Sequence, residues 1–395
     1  MAFQEPINCT KCACLAGDRC TFHDVELDNP AFTLCAHFRT PGADPESMVH
    51  QYPELQELSP DWIYEIDPTG EVTPLLQTVR RRRQSTRGTG RLNTALYGLP
   101  EVDSPATVDR GDRFAGAMLG MGLGDALGFP AEGRSPAEVE MIYGGPLTGM
   151  VGRIGRRHRW PVGQVTKDTQ LVMVLAESLI EEGALDMDDF AERLVRWLPS
   201  GLRAGKSTVQ AVEALQEGRH WSVSGLESNG AGATVRVVPL ALVRHGDYGR
   251  LRQEAILQCM PTHQSPKAYA ATVLFATAVS ALINTPSGTL KRSEFLQLLD
   301  RAIRGIDVEV NIRLHDMSSM LGDGLPPTEA LGRLKTGGYV MECLPSALYC
   351  FLFHADEPEQ ALLAAANGGF DANSVAGMVG ALAGAYHGPA GRPPA

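Results

Sequence analysis

From about Val108 to Gly388, apolar and small residues recur every three or four positions, the spacing of helices that bury one face. Asp168–Glu182 carries Leu171, Leu175 and Leu179 on one stripe, and Asp186–Leu198 repeats the pattern after a short turn. Ala233–His245, Ala268–Ile283, Ser293–Ile303 and Met341–Phe353 are further predicted helices. In Arg113–Leu127 the stripe consists of Gly116, Gly120 and Gly124, and in Ser374–His387 of Gly377, Ala381 and Gly384. Stripes of such small residues predict helices whose backbones approach closely. No alternating run long enough for a useful strand appears, so the segment 107–390 is expected to be all-α.

The pattern fails before Val108. Residues 41–106 are rich in Pro, Gly, Ser and charge without a sustained period of 3.6 or 2, and read as a partly disordered linker. Residues 1–40 hold five of the eight cysteines. Cys9-x₂-Cys12, Cys20 and Cys35 have the spacing of a small zinc-binding module, with Cys14, His23 and His37 as possible substitutes. A module this short needs such a staple to fold. An iron–sulfur cluster or no metal are the alternatives, and five thiols argue against simple disulfide pairing.

Composition narrows the reading. Aromatics are only 6% while Ala and Gly abound, which favours close-packed helices over a β-sandwich. The net charge of −11 argues against broad nucleic-acid binding. The run Arg80–Arg83 with Arg87 and Arg91 reads as a solvated linker segment, with an electrostatic tether or a modification site as the functional alternatives. No signal-like segment opens the chain and no long apolar span is evident, so a cytoplasmic location without membrane contact is expected. Gly201–Thr208 looks like a phosphate-binding loop, but it has three residues between its glycines and no preceding strand.

Five segments carry candidate chemistry. Gly116–Gly133 ends in Asp125 and Glu132, where Asp125 can be a simple cap. Thr166, Lys167, Asp168 and Thr169 precede an apolar helix, as N-caps do, yet hydroxyl and carboxylate oxygens also suit a hard cation. Asp371, Asn373 and Ser374 stand at the mouth of another helix after Gly369. Ser228, Gly230 and Gly232 form a Gly-rich turn able to present backbone N–H groups to phosphate. His263 lies in a polar turn, where a lone histidine is usually structural.

The order of these segments, GDALG…E, PxGxxTxDTQ, SNGxGxxxR, TH and a Gly-rich Asp turn before xAxxxGALAGA, resembles the ADP-ribosylglycohydrolase family over about residues 110–390. The resemblance implies a compact, orthogonal multi-helix domain that cleaves a glycosidic bond of ADP-ribose in a cleft with two Mg²⁺ or Mn²⁺ ions. Carried over, Glu132, Asp168 and Asp371 are the catalytic carboxylates. Thr166, Asp168, Asp371, Asn373 and Ser374 are the metal shell. Lys167, Ser228, Gly230, Gly232, His263 and Gly369 line the substrate. This chain departs from the pattern at Lys167 and Asn373, each in place of an Asp, at Ser374 in place of Thr, and at Ala231 in place of Asn. Three carboxylates and one ammonium leave charge for at most one weakly held Mg²⁺ or Mn²⁺.

Two functions are therefore expected as alternatives: hydrolysis of an N- or O-glycosidic bond of ADP-ribose or a related ribosyl group, or binding of ADP-ribose or a partner protein without turnover. ADP-ribose or an ADP-ribosylated substrate is the expected ligand, with a protein partner for the N-terminal module. Purified under reducing conditions, the chain should carry about one zinc ion, held within residues 1–40. Elemental analysis of Cys9→Ser and Cys20→Ser should show that zinc lost, and unchanged zinc would rule the module out.

Overall fold

The structure is a computed structural model that describes residues 108–155 and 157–389 together with six short strands nearer the N-terminus. The chain divides into two compact units, Met1–Pro100 and Glu101–Ala395. In the first, β1 (Leu15–Ala16), β2 (Arg19–Cys20) and β3 (Val25–Glu26) form one antiparallel sheet. A second consists of β4 (Thr33–Cys35), β5 (Ile63–Ile66) and β6 (Val72–Thr73), with Thr33 opposite Glu65 and Glu65 opposite Thr73. The thiol side chains of Cys9, Cys12, Cys20 and Cys35 and the arginine run lie outside the described residues.

The second unit is all-α: among its described residues the β pairings are isolated bridges. Helix α1 (Arg110–Gly128) leads through a 3₁₀ turn, Phe129–Ala131, to α2 (Pro136–Tyr143). Then come α3 (Lys167–Glu182), α4 (Met187–Trp197) and α5 (Lys206–Gln216). Three short helices follow, α6 (Trp221–Ser224), α7 (Gly232–Val235) and α8 (Val238–Val243), and after them α9 (Tyr248–Cys259) and α10 (Pro266–Ile283). The chain closes with α11 (Arg292–Ile303), α12 (Val308–Gly322), α13 (Pro327–Leu334), α14 (Val340–Phe353), α15 (Pro358–Ala366) and α16 (Ala372–His387).

The core helix α10 touches α7, α8, α9, α11, α14 and α16. It is 18 residues long and apolar enough by length and composition to cross a membrane, longer than the apolar stretch expected from sequence because Pro266 and Lys267 begin it. Every residue from Ala270 to Ile283 is buried against its neighbours, which is how a core helix becomes hydrophobic all round.

The glycine stripes meet each other. Helices α1 and α16 run antiparallel with Gly116 against Gly384, Gly120 against Gly380, Gly124 against Ala376 and Gly128 against Ala372. A Cβ on Gly120 would overlap the Gly380 carbonyl oxygen, and one on Gly380 the Gly120 carbonyl oxygen. Gly380, not Ala381, therefore occupies the seam, while Gly377 receives the end of the Met121 side chain. Carbonyl oxygens facing glycine Cα atoms at this range are placed for weak Cα–H···O contacts.

The expected helix Ala233–His245 is broken in two. Pro239 stands in the first turn of α8 and has no N–H to offer the Val235 carbonyl. Pro345 lies inside α14 without ending it, and the Met341 carbonyl that it deprives of a partner accepts instead from Arg313 Nε at 3.0 Å. The loop Gly201–Gly205 follows the helical turn Leu198–Ser200 rather than a strand, so Gly201–Thr208 is not a strand-borne phosphate loop.

Gly380→Ala should destabilise the domain by about 3 kcal/mol or more, because the overlap is with backbone rather than a side chain that can turn away. Gly332→Ala, in the exposed interior of α13 with open space where its Cβ would go, should instead gain about 0.5–1 kcal/mol. Urea denaturation of the two variants checks the contrast, and equal effects would contradict the seam.

Candidate active site

The seam brings the C-terminal end of α1 beside the N-terminal end of α16, and the N-terminus of α3 meets both. Asp125 lies within α1 and is fully buried. It does not cap its own helix. Its carboxylate accepts from Thr166 N at 2.7 Å, Thr166 Oγ1 at 2.8 Å, Thr169 N at 3.2 Å and Thr169 Oγ1 at 2.6 Å, so it caps α3 from across the core. Thr166 is the N-cap residue of α3, as expected, and its own hydroxyl reaches Asp168 N at 3.3 Å.

Asp168, 1% exposed, meets a cation through one oxygen, which accepts no hydrogen bond, and donors through the other. Lys167 Nζ stands 3.0 Å from Oδ1. Oδ2 accepts from Asn373 Nδ2 at 2.9 Å and Ser374 Oγ at 2.6 Å. The Asn373 amide also donates to Thr166 Oγ1 at 3.1 Å, while its Oδ1 has no partner. The starts of α3 and α16, both positive dipole ends, thus converge on buried acids.

Two further carboxylates border this nest. Asp371 is the N-cap residue of α16 and only partly buried. Glu132 follows the 3₁₀ turn, with Arg203 Nε 2.7 Å from its Oε2. Arg153 Nη1 donates to the Glu132 carbonyl at 2.8 Å and to the Phe129 carbonyl at 2.5 Å. The two acid-bearing turns are stitched together: Gly133 N donates to the Phe370 carbonyl and Phe370 N to the Arg134 carbonyl, both at 2.6 Å. Phe370 and Arg203 adopt left-handed backbone with φ of 54° and 61°, a conformation that disfavours large side chains.

The Gly-rich turn reaches the border through α14. Ala231 N donates to the Gly338 carbonyl and Val340 N to the Asn229 carbonyl, each at 3.0 Å, and Gly338 lies against the Asp371 carboxylate. His263 is buried beneath Gly230 and Gly232 with Nδ1 2.8 Å from Thr262 Oγ1. It supports the turn from below. Burial, reinforced by the Arg236 charge, pushes its pKa down to about 3 and keeps the ring neutral.

Charge is distributed unevenly. Burial and then the neighbouring Asp168 push Asp125 up to about 6 against the pull of its hydroxyl and amide donors. Burial also pushes Asp371 up to about 6; Lys167 pulls the other way, and Asp168 and Glu132 add to the rise. Burial works against the Lys167 ammonium, but Asp168, Asp371 and Glu132 outweigh it and raise its pKa above the usual lysine range. Among the described residues, no three His, Cys, Asp or Glu side chains are gathered as a metal cage.

A family model described as ADP-ribosylglycohydrolase matches residues 106–395. The chain belongs to the ADP-ribosylglycohydrolase family. It is 30% identical over 278 residues to an uncharacterised protein of Archaeoglobus fulgidus, covering 69% of this chain and 87% of that one. It is 29% identical over 296 residues to the ADP-ribosylarginine hydrolase Tri1 of Pseudomonas putida, covering 72% of each. It is 27% identical over 281 residues to the ADP-ribosyl-[dinitrogen reductase] glycohydrolase of Rhodospirillum rubrum, covering 70% of this chain and 86% of that one.

In this ADP-ribosylglycohydrolase domain the residues singled out from sequence fall into three groups. Thr166, Lys167, Asp168, Asn373 and Ser374 make direct mutual contacts, and Asp371 and Glu132 lie within electrostatic reach of Lys167. Ser228, Gly230 and Gly232 belong to the bordering turn, with His263 under it. Gly369, at φ 72°, packs on the Arg134 carbonyl and Pro136, two positions before Asp371. Asp125, Arg153 and Arg203 were not recognised as parts of the nest. Only Asp125 had a local signal, the acid in GDALG.

Asp371 should leave a signature in the pH dependence of stability. Its folded pKa of about 6 lies above the unfolded value near 3.8, so between the two the folded chain retains a proton that the unfolded chain has lost. The contribution is full below about pH 3.8 and is lost as pH rises through 6. Relative to Asp371→Asn, the unmodified protein should therefore lose stability from pH 4 to 7. Urea denaturation at unit pH steps measures this, and a pH-independent difference would contradict it.

Proposed function

We propose that this chain is a hydrolase that cleaves the N- or O-glycosidic bond between ADP-ribose, or a related ribosyl group, and a modified acceptor. The observation that carries this reading is the joining of the Glu132- and Asp371-bearing turns by backbone hydrogen bonds, at the point where the starts of α3 and α16 meet, in a domain of this family. Loss of the acceptor from C1 of ribose builds oxocarbenium charge, which flanking carboxylates stabilise. A partly buried carboxyl with a pKa near 6 suits proton transfer at neutral pH, so Asp371 is assigned to activate water. Glu132, paired with Arg203, faces the developing charge or the departing group. Asp168, ion-paired with Lys167 through one oxygen and hydrogen-bonded to Asn373 and Ser374 through the other, is a positioning residue that orients Lys167 and the start of α16.

Substrate recognition follows from the same residues. The Gly-rich turn Ser228–Gly232 offers backbone N–H groups to a pyrophosphate. Two relatives are named for ADP-ribosylarginine and for ADP-ribosyl-[dinitrogen reductase], which supports a protein-linked ADP-ribosyl group as the substrate class. A cytoplasmic site of action is part of this proposal. One observation favours a second reading, a binder without turnover: an ammonium and a carboxamide occupy the acid that the family pattern assigns to metal.

Incubation of the full chain with a mixed pool of ADP-ribosylated proteins should release ADP-ribose. Asp371→Asn and Glu132→Gln should each slow release about 100-fold or more. ADP-ribose binding by the unmodified chain with no release would select the second reading, and neither binding nor release would overturn both.

A further inference from the structure

The two-ion centre implied by the family resemblance does not fit the residues present. A divalent ion needs oxygen lone pairs directed at it. At Asp168 the place of such an ion is already taken by a cation: Oδ1, which accepts no hydrogen bond, is ion-paired with the Lys167 ammonium at 3.0 Å, and Oδ2 accepts from Asn373 at 2.9 Å and Ser374 at 2.6 Å. Both oxygens of Asp125 are committed to Thr166 and Thr169.

We infer that Lys167 and Asn373 are a covalently attached substitute for the divalent ions, so that the Asp168 charge is compensated without metal and a two-ion centre is excluded. The inference shares its site with the proposed hydrolase but is decided by metal binding, not by turnover.

Three observations support it. First, the ammonium is enclosed. The Lys167 side chain is only 15% exposed, and its backbone N–H is fixed to the Leu202 carbonyl at 3.0 Å. An ion at Asp168 would have to displace a like charge from a shielded position where repulsion is strong.

Second, the Asn373 carboxamide has one workable orientation. Its Nδ2 faces oxygens of Thr166 and Asp168 at 3.1 and 2.9 Å, with Asp125 Oδ1 at 3.5 Å. Turning the amide over would point Oδ1 at two carboxylates. An Asp here would do the same with a full charge and would create the demand for a cation that Asn removes.

Third, the two substitutions meet on one acid. Residues 167 and 373 lie on different helices and engage opposite oxygens of Asp168, one by its charge and the other by a hydrogen bond. Either change alone would leave one of those oxygens without its nitrogen partner.

The consequence for chemistry is specific. An ammonium can hold a ribose hydroxyl through a remaining N–H, but it has no vacant coordination position at which to bind and acidify water. Water activation then falls on Asp371 alone.

Calorimetric titration of the full chain with Mg²⁺ and with Mn²⁺ decides the matter. We expect no saturable binding that is lost in Asp371→Asn, and no rise in melting temperature with either ion. Lys167→Asp combined with Asn373→Asp should acquire saturable Mn²⁺ binding at least tenfold tighter than the unmodified chain, with a melting temperature that rises on adding Mn²⁺. Should the double variant fail to fold, Lys167→Asn, which frees one Asp168 oxygen without adding charge, is read in the same way. Saturable Mg²⁺ or Mn²⁺ binding in the unmodified chain that Asp371→Asn abolishes would overturn the inference. A folded variant with no gain in Mn²⁺ affinity would overturn it too. ADP-ribose binding by the unmodified chain, measured in parallel without added metal, tests the functional reading separately.

Discussion

Between α1 and α16 the backbones touch with almost no side chain between them, and the placement of every acid in the nest depends on that contact. Glycine inside a helix costs roughly 1 kcal/mol relative to alanine, so the repeated glycines on these two helices are a substantial local loss. It is offset by an approach that larger residues forbid, as the overlap of any Cβ with the opposite carbonyl shows. The pairing steps by four residues along both helices, so its register is set along their whole length. At one end of that register Gly128 meets Ala372, and Asp125 comes within 3.5 Å of Asn373.

Helix α3 enters this corner through Asp125, which satisfies the free N–H groups at its start. That tie fixes Lys167 and Asp168, which follow Thr166 directly. The network then closes on itself: Asp125 holds Thr166, Thr166 and Asp168 hold the Asn373 amide, and Asp168 holds Lys167 and Ser374. Buried acids are tolerable only when donors or cations meet their oxygens, and here most of those partners come from other helices. Structure and chemistry are therefore not separable in the nest. The groups that compensate its charge are also those that hold three helix ends together, whereas Asp371 and Glu132 lie at its edge, with Glu132 paired to Arg203.

Much of this was legible along the chain. The apolar stripe of α3, its Thr166 cap and the closely packed glycine helices follow from local spacing and capping chemistry. The family resemblance singled out Lys167 and Asn373 as departures before any geometry was known. Other features had no local signal. Helix α16 carries small residues on adjacent rows, and only its contact with α1 distinguishes Gly380 on the seam from Ala381 beside it. Arg203 reaches Glu132 from a left-handed turn 71 positions along the chain, and nothing in its own neighbourhood marks it. His263 stands in a polar turn by sequence, yet it is buried because the Gly-rich turn folds over it.

By itself the sequence determined the all-α character of the domain, the starts of its principal helices and the residue types available at those starts, because turn-to-turn spacing and caps act over a few residues. The tertiary structure decided which of those starts converge, which acid each donor satisfies and which carboxylates lie at the edge of the nest. Those outcomes depend on charges and hydrogen bonds between residues that lie from a few to more than two hundred positions apart, such as Asn373 and Asp168, and no local pattern encodes such a pairing.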